Sequence, residues 1–213
     1  AGRRVLGVAC GPGRDLRVLL ERGARGVGID LSAVLLSEAT RVFRALGAEP
    51  PLVRADMREL PFGDRTFELT LSMFTSFGYF ESVEEHAHLA REMARVTSAV
   101  IVVDVPNPTV LARTLVGRSE RRTEDARIVE HRRIDDAPLR VVKTIDVFVG
   151  DRDEPSEHYE ERVTLFTVEE LEALFDAAGF TLEDLTGDYD GREFDDATSP
   201  RTILRLRRAG MAR

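Results

Sequence analysis

The chain has a single cysteine, Cys10, so no internal disulfide can form. It has no apolar run near the roughly 18 to 20 residues that span a bilayer, and no basic start followed by an apolar stretch of the kind that directs secretion. These absences point to the cytoplasm. It also has no excess of positive charge. Its 30 Lys+Arg stand against 38 Asp+Glu, a formal net charge of −8, and this repels nucleic acid and anionic lipid alike. Neither is expected as a partner. No group of His, Cys, Asp and Glu has metal-ligand spacing, and no metal is expected. At 213 residues the chain can bury a sizeable core as one compact unit with an appended element.

Short apolar runs alternate with helical stripes. Strands are expected at Val5–Cys10, Gly26–Asp30, Leu52–Ala55, Phe67–Ser72 and Ala99–Val105, and helices at Asp15–Arg22, Ala33–Leu46 and Val83–Val96. Strand, helix, strand in this rhythm gives a parallel sheet. After Asn107 the rhythm stops. A polar, Arg-rich stretch runs to Asp125, and three strand-like segments follow, Arg127–Ile134, Val141–Val149 and Tyr159–Phe166, joined by polar turns at Asp135–Pro138 and Gly150–Ser156. They suggest an antiparallel meander. Thr167 with Glu170 forms a capping box for one more helix, which Gly179 ends, and two final strands, Thr181–Thr186 and Thr202–Arg207, pair without a helix between them.

The stretch VLGVACGPGR carries the first chemical signal. Glycines where a strand hands over to a helix let backbone approach a ligand. The turn lacks the third glycine of a dinucleotide fingerprint, Pro12 removes one amide donor, and no Gly-Lys-Ser/Thr follows, so neither a pyrophosphate nor a phosphate loop fits. This weighs against a nicotinamide oxidoreductase. Asp30 closes the second strand where an acid commonly takes ribose hydroxyls, and Asp56 follows the third, where it can take an adenine amino group. Each also has a plainer reading, Asp30 as a helix N-cap and Asp56 as a loop acid.

Taken together, VLGVACGPGR, VGIDLS, RADMRELPF, FELTLSMFTSFGYF and FTVEELEALFDAAGF resemble the motifs of the class I S-adenosylmethionine-dependent methyltransferases of the small-molecule branch. The resemblance implies an α/β, doubly wound, Rossmann-like seven-stranded sheet with an inserted antiparallel β meander. The core would take residues 1–106 and 167–213, and residues 107–166 would form a substrate cap or a dimerisation element of a possible homodimer. It implies S-adenosylmethionine as cofactor and methyl transfer to an oxygen or nitrogen of a small molecule. Ala9, Gly11 and Gly13 would line the cofactor, Asp30 would bind its ribose beside Leu31, Asp56 and Met57 would flank its adenine, and Met73 and Phe74 would lie near its sulfonium.

Three departures stand out. Gly7 occupies the place of an acid that in this family helps hold the methionine end of the cofactor; a protein that keeps the fold without methyl transfer is the alternative this suggests. Arg95-Val96-Thr97-Ser98 runs into the fifth strand without the usual Pro-Gly-Gly turn. The helical segment that precedes the first strand in the family is missing, and a segment upstream of Ala1 is expected. A hydroxyl acceptor would need a base, for which Tyr79, His131 and His158 are the candidates; an amine arriving neutral would not. The cluster Phe74, Phe77, Tyr79 and Phe80 offers aromatic faces to a sulfonium, with two of the four expected in the core. His86 and His88 are expected on a solvated helix face, Cys10 in a packing role, and Arg118, Arg121 and Arg122 on a solvated surface.

Overall fold

A computed structural model describes residues 2–49, 51–150 and 154–210. Seven strands form one sheet in the order β10-β11-β5-β4-β1-β2-β3. They are β1 (Arg4–Val8), β2 (Arg25–Asp30), β3 (Leu52–Arg54), β4 (Phe67–Ser72), β5 (Thr97–Pro106), β10 (Phe180–Thr186) and β11 (Arg201–Arg208). The first five run parallel, and β11 lies antiparallel between β5 and β10. The helices are α1 (Arg14–Glu21), α2 (Ala33–Ala45), α3 (Val83–Val96), α4 (Pro108–Thr114) and α5 (Val168–Ala177). α1 and α2 contact the β2–β3 side of the sheet, while α3 and α5 contact each other and the β5 and β10 strands.

Strands buried on both faces carry near-continuous apolar sequence, and the core follows from this. Leu6, Ile29, Ile101, Val103, Leu204 and Leu206 are fully buried, and Phe77, Phe166, Phe175 and Phe180 fill the layer beside α3 and α5. Thr167 caps α5 with the expected box. α3 passes straight into β5 at Thr97, as the missing turn implied, and Thr97 Oγ1 fastens the junction by donating to the Met93 carbonyl at 2.6 Å.

A second sheet, in the order β6-β7-β8-β9, is wholly antiparallel. It consists of β6 (Arg118–Arg122), β7 (Ala126–Asp136), β8 (Leu139–Val149) and β9 (Glu157–Thr164). The meander therefore has four strands where three were expected. The additional strand is β6, whose sequence RSERR shows no apolar alternation; it is an edge strand, and charged edges are how sheets avoid further pairing. The Arg-rich stretch also hides α4, capped by the buried Asn107 with Pro108 in its first turn. The turn expected over Gly150–Ser156 lies partly outside the described residues.

Arg140 and Gly78 mark a contact between this sheet and the loop that follows β4. Arg140, on β8, is only 9% exposed and reaches Glu81 Oε2 at 2.6 Å, the Glu81 carbonyl, and Thr164 Oγ1 at 3.2 Å. Gly78 lies under β9 so closely that an added Cβ would meet the Thr164 carbonyl at 2.5 Å. Glycine is required there for contact rather than for φ.

His86 corrects the expectation of a solvated face. It is 1% exposed and sits between Phe77, Phe80 and Phe166, with ring centroids 4.8 to 5.7 Å away. The spacing His86, Leu89, Ala90, Met93 is a helical stripe, and all four are buried. His88 is exposed as expected, and so are Arg118, Arg121 and Arg122.

Candidate active site

The C-terminal ends of the parallel strands open into a cavity of about 610 Å³, the usual size for a small-molecule site. Its floor is the turn after β1. Ala9, Gly11 and Gly13 all take left-handed backbone, with φ of 50°, 51° and 77°. Two of the three are glycine for distinct reasons. At Gly11 an added Cβ would meet nothing within 4 Å, so its bare backbone faces open space; at Gly13 it would lie 2.9 Å from the Phe43 ring. Ala9 adopts this conformation without being glycine, a strain of the kind that gathers at functional turns.

Asp30 ties the turn to β2. Its carboxylate accepts from Gly11 N–H at 2.8 Å through one oxygen and from Ser32 N–H at 2.8 Å through the other. The N-cap of α2 is Ser32, whose hydroxyl accepts from Leu35 N–H, so the plainer reading of Asp30 does not hold. Each Asp30 oxygen retains a lone pair for a ligand. Asp56 also lines the cavity, but its carboxylate is gripped by the Arg58 guanidinium, which also binds Glu85. The side-chain hydrogen bonds from Arg58 hold Asp56 below the usual carboxylate range. The plainer reading thus holds in part for Asp56.

Of the cofactor candidates, Ala9, Gly11, Asp30, Leu31, Asp56, Met57, Met73 and Phe74 all line this one cavity. Gly13 instead lines a neighbouring cleft between α1 and α2, because its Cα faces Phe43. Of the candidate bases, Tyr79 lines the cavity, and burial followed by the charge of Glu161 raises its pKa. It stays protonated and suits a hydrogen-bond donor. His131 and His158 do not reach the cavity: both are exposed on the second sheet, and His158 Nδ1 lies 2.6 Å from Asp146 Oδ1. The in-register pairs place them on one face of that sheet, opposite to the face of Glu161. Cys10 lines the cavity rather than lying sealed in the core, and burial, then Asp30, pushes its thiol up to about 12, so it is inert as a nucleophile.

The sequence model of a methyltransferase domain matches residues 5–99. Over 195 residues the chain is 32% identical to a dTDP-3-amino-3,6-dideoxy-alpha-D-glucopyranose N,N-dimethyltransferase from Streptomyces fradiae, covering 88% of this chain and 74% of that one. The chain belongs to the class I S-adenosylmethionine-dependent methyltransferases. Among solved structures it is similar to an S-adenosylmethionine-dependent methyltransferase from Clostridium acetobutylicum, with a TM-score of 0.82 at 20% identity over 97% of this chain and 84% of that one. It is also similar to the sugar N-methyltransferase KedS8 from Streptoalloteichus, with a TM-score of 0.71 at 26% identity over 97% and 80%. The protein is therefore an S-adenosylmethionine-dependent methyltransferase, and the alternative of a scaffold without methyl transfer is not favoured.

The cavity fits that cofactor. This methyltransferase offers a bare glycine turn for close approach, a carboxylate with free lone pairs that can accept from hydroxyls, and a mostly apolar wall including Leu31, Met57 and Met73. Phe74 and Tyr79 are about half exposed at the mouth, whereas Phe77 is fully buried and Phe80 packs partly against the core.

A feature that sequence reasoning missed shapes this mouth. Asp104, fully buried at the end of β5, binds Arg201 Nε at 2.7 Å through one oxygen and the Tyr189 phenol and Phe74 N–H, both at 2.8 Å, through the other. Its carbonyl takes Thr75 N–H at 3.0 Å. Phe74 and Thr75 are consecutive left-handed residues, φ 54° and 73°, that this network holds in place.

Proposed function

We propose that the enzyme methylates an amine nitrogen of a polar small molecule, with an amino sugar as the favoured class of acceptor. The observation that carries this reading is the similarity, over 88% of this chain, to an amino-sugar N,N-dimethyltransferase. The cavity wall agrees with it. Among the described residues that line the cavity there is no histidine, and an amine that arrives neutral brings its own lone pair.

When bound, S-adenosylmethionine supplies a methyl group on a positively charged sulfur, and the C–S bond breaks as the N–C bond forms. The chain contributes alignment, exclusion of water and favourable electrostatics. Asp30 takes the ribose hydroxyls, with Gly11 giving the backbone clearance beside it. Met57 flanks the adenine on one side, and Asp56, held by Arg58, shapes its edge. Met73 and Phe74 stand near the sulfur, where the aromatic face of Phe74 contributes about 0.5–2 kcal/mol toward a cation. Tyr79 donates a hydrogen bond to the acceptor, and the face of the second sheet that carries Glu161 covers it. The proton of the methylated amine leaves to solvent. The unpaired thiol of Cys10 favours the cytoplasm as the compartment.

Calorimetric titration with S-adenosylmethionine and its demethylated product, followed by turnover assays, tests this. Asp30→Ala is expected to weaken both ligands by about tenfold or more. A free amino sugar should be methylated and its hydroxyl analogue should not. Turnover of the hydroxyl compound alone would overturn the choice of nitrogen.

A further inference from the structure

The acids of the cavity wall differ in what they hold. Asp30 takes two backbone amides, and Asp56 is gripped by Arg58. Asp15 lines the same cavity, in the first turn of α1, and its side chain has no hydrogen-bond or ion-pair partner on another of the described residues. Arg14 beside it is exposed at the rim, lines both this cavity and the neighbouring cleft, and makes no ion pair with another of the described residues. Two opposite charges, adjacent in the chain, thus stand at one end of a largely apolar space, Asp15 in its wall and Arg14 at its rim.

Their position in the sheet gives them an end of that space. Asp30 closes β2, on one side of β1, whereas β4 and β5 lie on the other side. Burial, then the charge of Asp104 at the end of β5, raises the pKa of Asp15, so Asp15 is within electrostatic reach of the β5 side. Asp104 already has its cation in Arg201, whereas Asp15 forms no ion pair among the described residues and feels only the charge of its chain neighbour Arg14. A positive group placed at Asp15 would relieve that repulsion. Gly7, also on the cavity wall, offers no side chain here, although an added Cβ would approach nothing closer than Cys10 Cβ at 3.5 Å.

We propose that the first turn of α1 performs the task that Gly7 leaves undone: Asp15 receives the α-ammonium of the cofactor's methionine end and Arg14 its carboxylate. A zwitterion matches two unpaired charges of opposite sign better than any singly charged group does. The inference rests on the placement of S-adenosylmethionine in this cavity with its ribose at Asp30.

Binding of three probes to the full chain separates the two. S-adenosylhomocysteine carries both tail charges, its deaminated analogue carries only the carboxylate, and 5′-methylthioadenosine carries neither. Asp15→Asn, nearly isosteric, should weaken S-adenosylhomocysteine by about tenfold or more and change the other two by less than about twofold. Arg14→Gln should weaken the first two and spare methylthioadenosine. An Asp15→Asn variant that binds S-adenosylhomocysteine as tightly as wild type, or that loses all three probes equally, overturns the inference while leaving the cofactor site intact. Failure of the wild-type chain to bind any of the three overturns the cofactor placement itself.

Discussion

The phenol of Tyr189 donates to the same Asp104 oxygen that accepts the Phe74 amide, so a residue 85 positions further along the chain steadies the loop at the cavity mouth. The rings of Phe74 and Tyr189 also meet, 5.7 Å between centroids. Removing one phenol hydrogen bond to a carboxylate that keeps its Arg201 partner is a mild change, and removing the carboxylate is not. Tyr189→Phe should cost about 0.5–1.5 kcal/mol in denaturant unfolding, and lower acceptor kcat/KM by about threefold or more as the Phe74 wall loosens. Asp104→Ala strands a guanidinium that is largely buried, and about 3–5 kcal/mol should be lost. An Asp104→Ala protein as stable as wild type would contradict the account of this network.

Two glycines on neighbouring strands should respond in opposite directions. Gly28 is buried where a Cβ would stand 2.7 Å from Cys10 Sγ, 2.9 Å from Leu16 Cδ2 and 3.0 Å from Leu52 Cδ2, so Gly28→Ala should destabilise by about 1–3 kcal/mol. Gly7 has room, and Gly7→Ala in the strand should be neutral or stabilising by about 0.5 kcal/mol. Thermal melts of the two variants decide the point. With the cofactor's ammonium already paired at Asp15, Gly7→Asp should gain less than about threefold in affinity for S-adenosylhomocysteine.

His86 predicts an acid sensitivity. Its Nδ1 lies 2.7 Å from the Ser82 carbonyl, its Nε2 has no partner among the described residues, and burial lowers its pKa below the ordinary 6.5. The unfolded chain therefore takes up a proton before the folded one does. Stability should fall as pH drops from about 6.5 toward the lowered value, and stay level in this respect above it. His86→Phe, surrounded by aromatic rings, should remove that slope and leave stability at neutral pH within about 1.5 kcal/mol. Melts between pH 5 and 8, a range set by the ordinary histidine value, that show the same slope in both proteins would refute the assignment.

Arg140 carries the docking of the second sheet. Arg140→Ala deletes its bonds to Glu81 and Thr164 and should cost about 2–3 kcal/mol. Because Tyr79 and Phe80 precede Glu81 on the same loop, acceptor KM should rise more than kcat falls. Equal loss in both would mean that the sheet does no more than stabilise.

Elements whose identity is written locally were legible in the sequence. β4 and α3 have the expected bounds, and the capping box of Thr167 and Glu170 starts α5 as read. The cavity wall was legible as well, because the glycine turn and the acids at the ends of β2 and β3 follow from chain order in a parallel sheet. What was hidden depends on distant partners. β6 is a strand only because β7 lies beside it, and Asp104 meets Arg201 across 97 residues. The burial of His86 is written in its spacing to Leu89, Ala90 and Met93, although the acidic pair Glu84-Glu85 before it has the composition of a solvated face.

The position of β11 has a consequence for biosynthesis. This strand is the final one of the chain's sheet order to be made, yet it enters between β5 and β10 and delivers Arg201 to Asp104. A nascent chain that has emerged only through β10 lacks both the strand that pairs with β5 beside Asp104 and the Arg201 guanidinium that partners its carboxylate. The brace of Phe74 and Thr75 at the cavity mouth is therefore complete only once β11 has been made, after every other strand of this sheet.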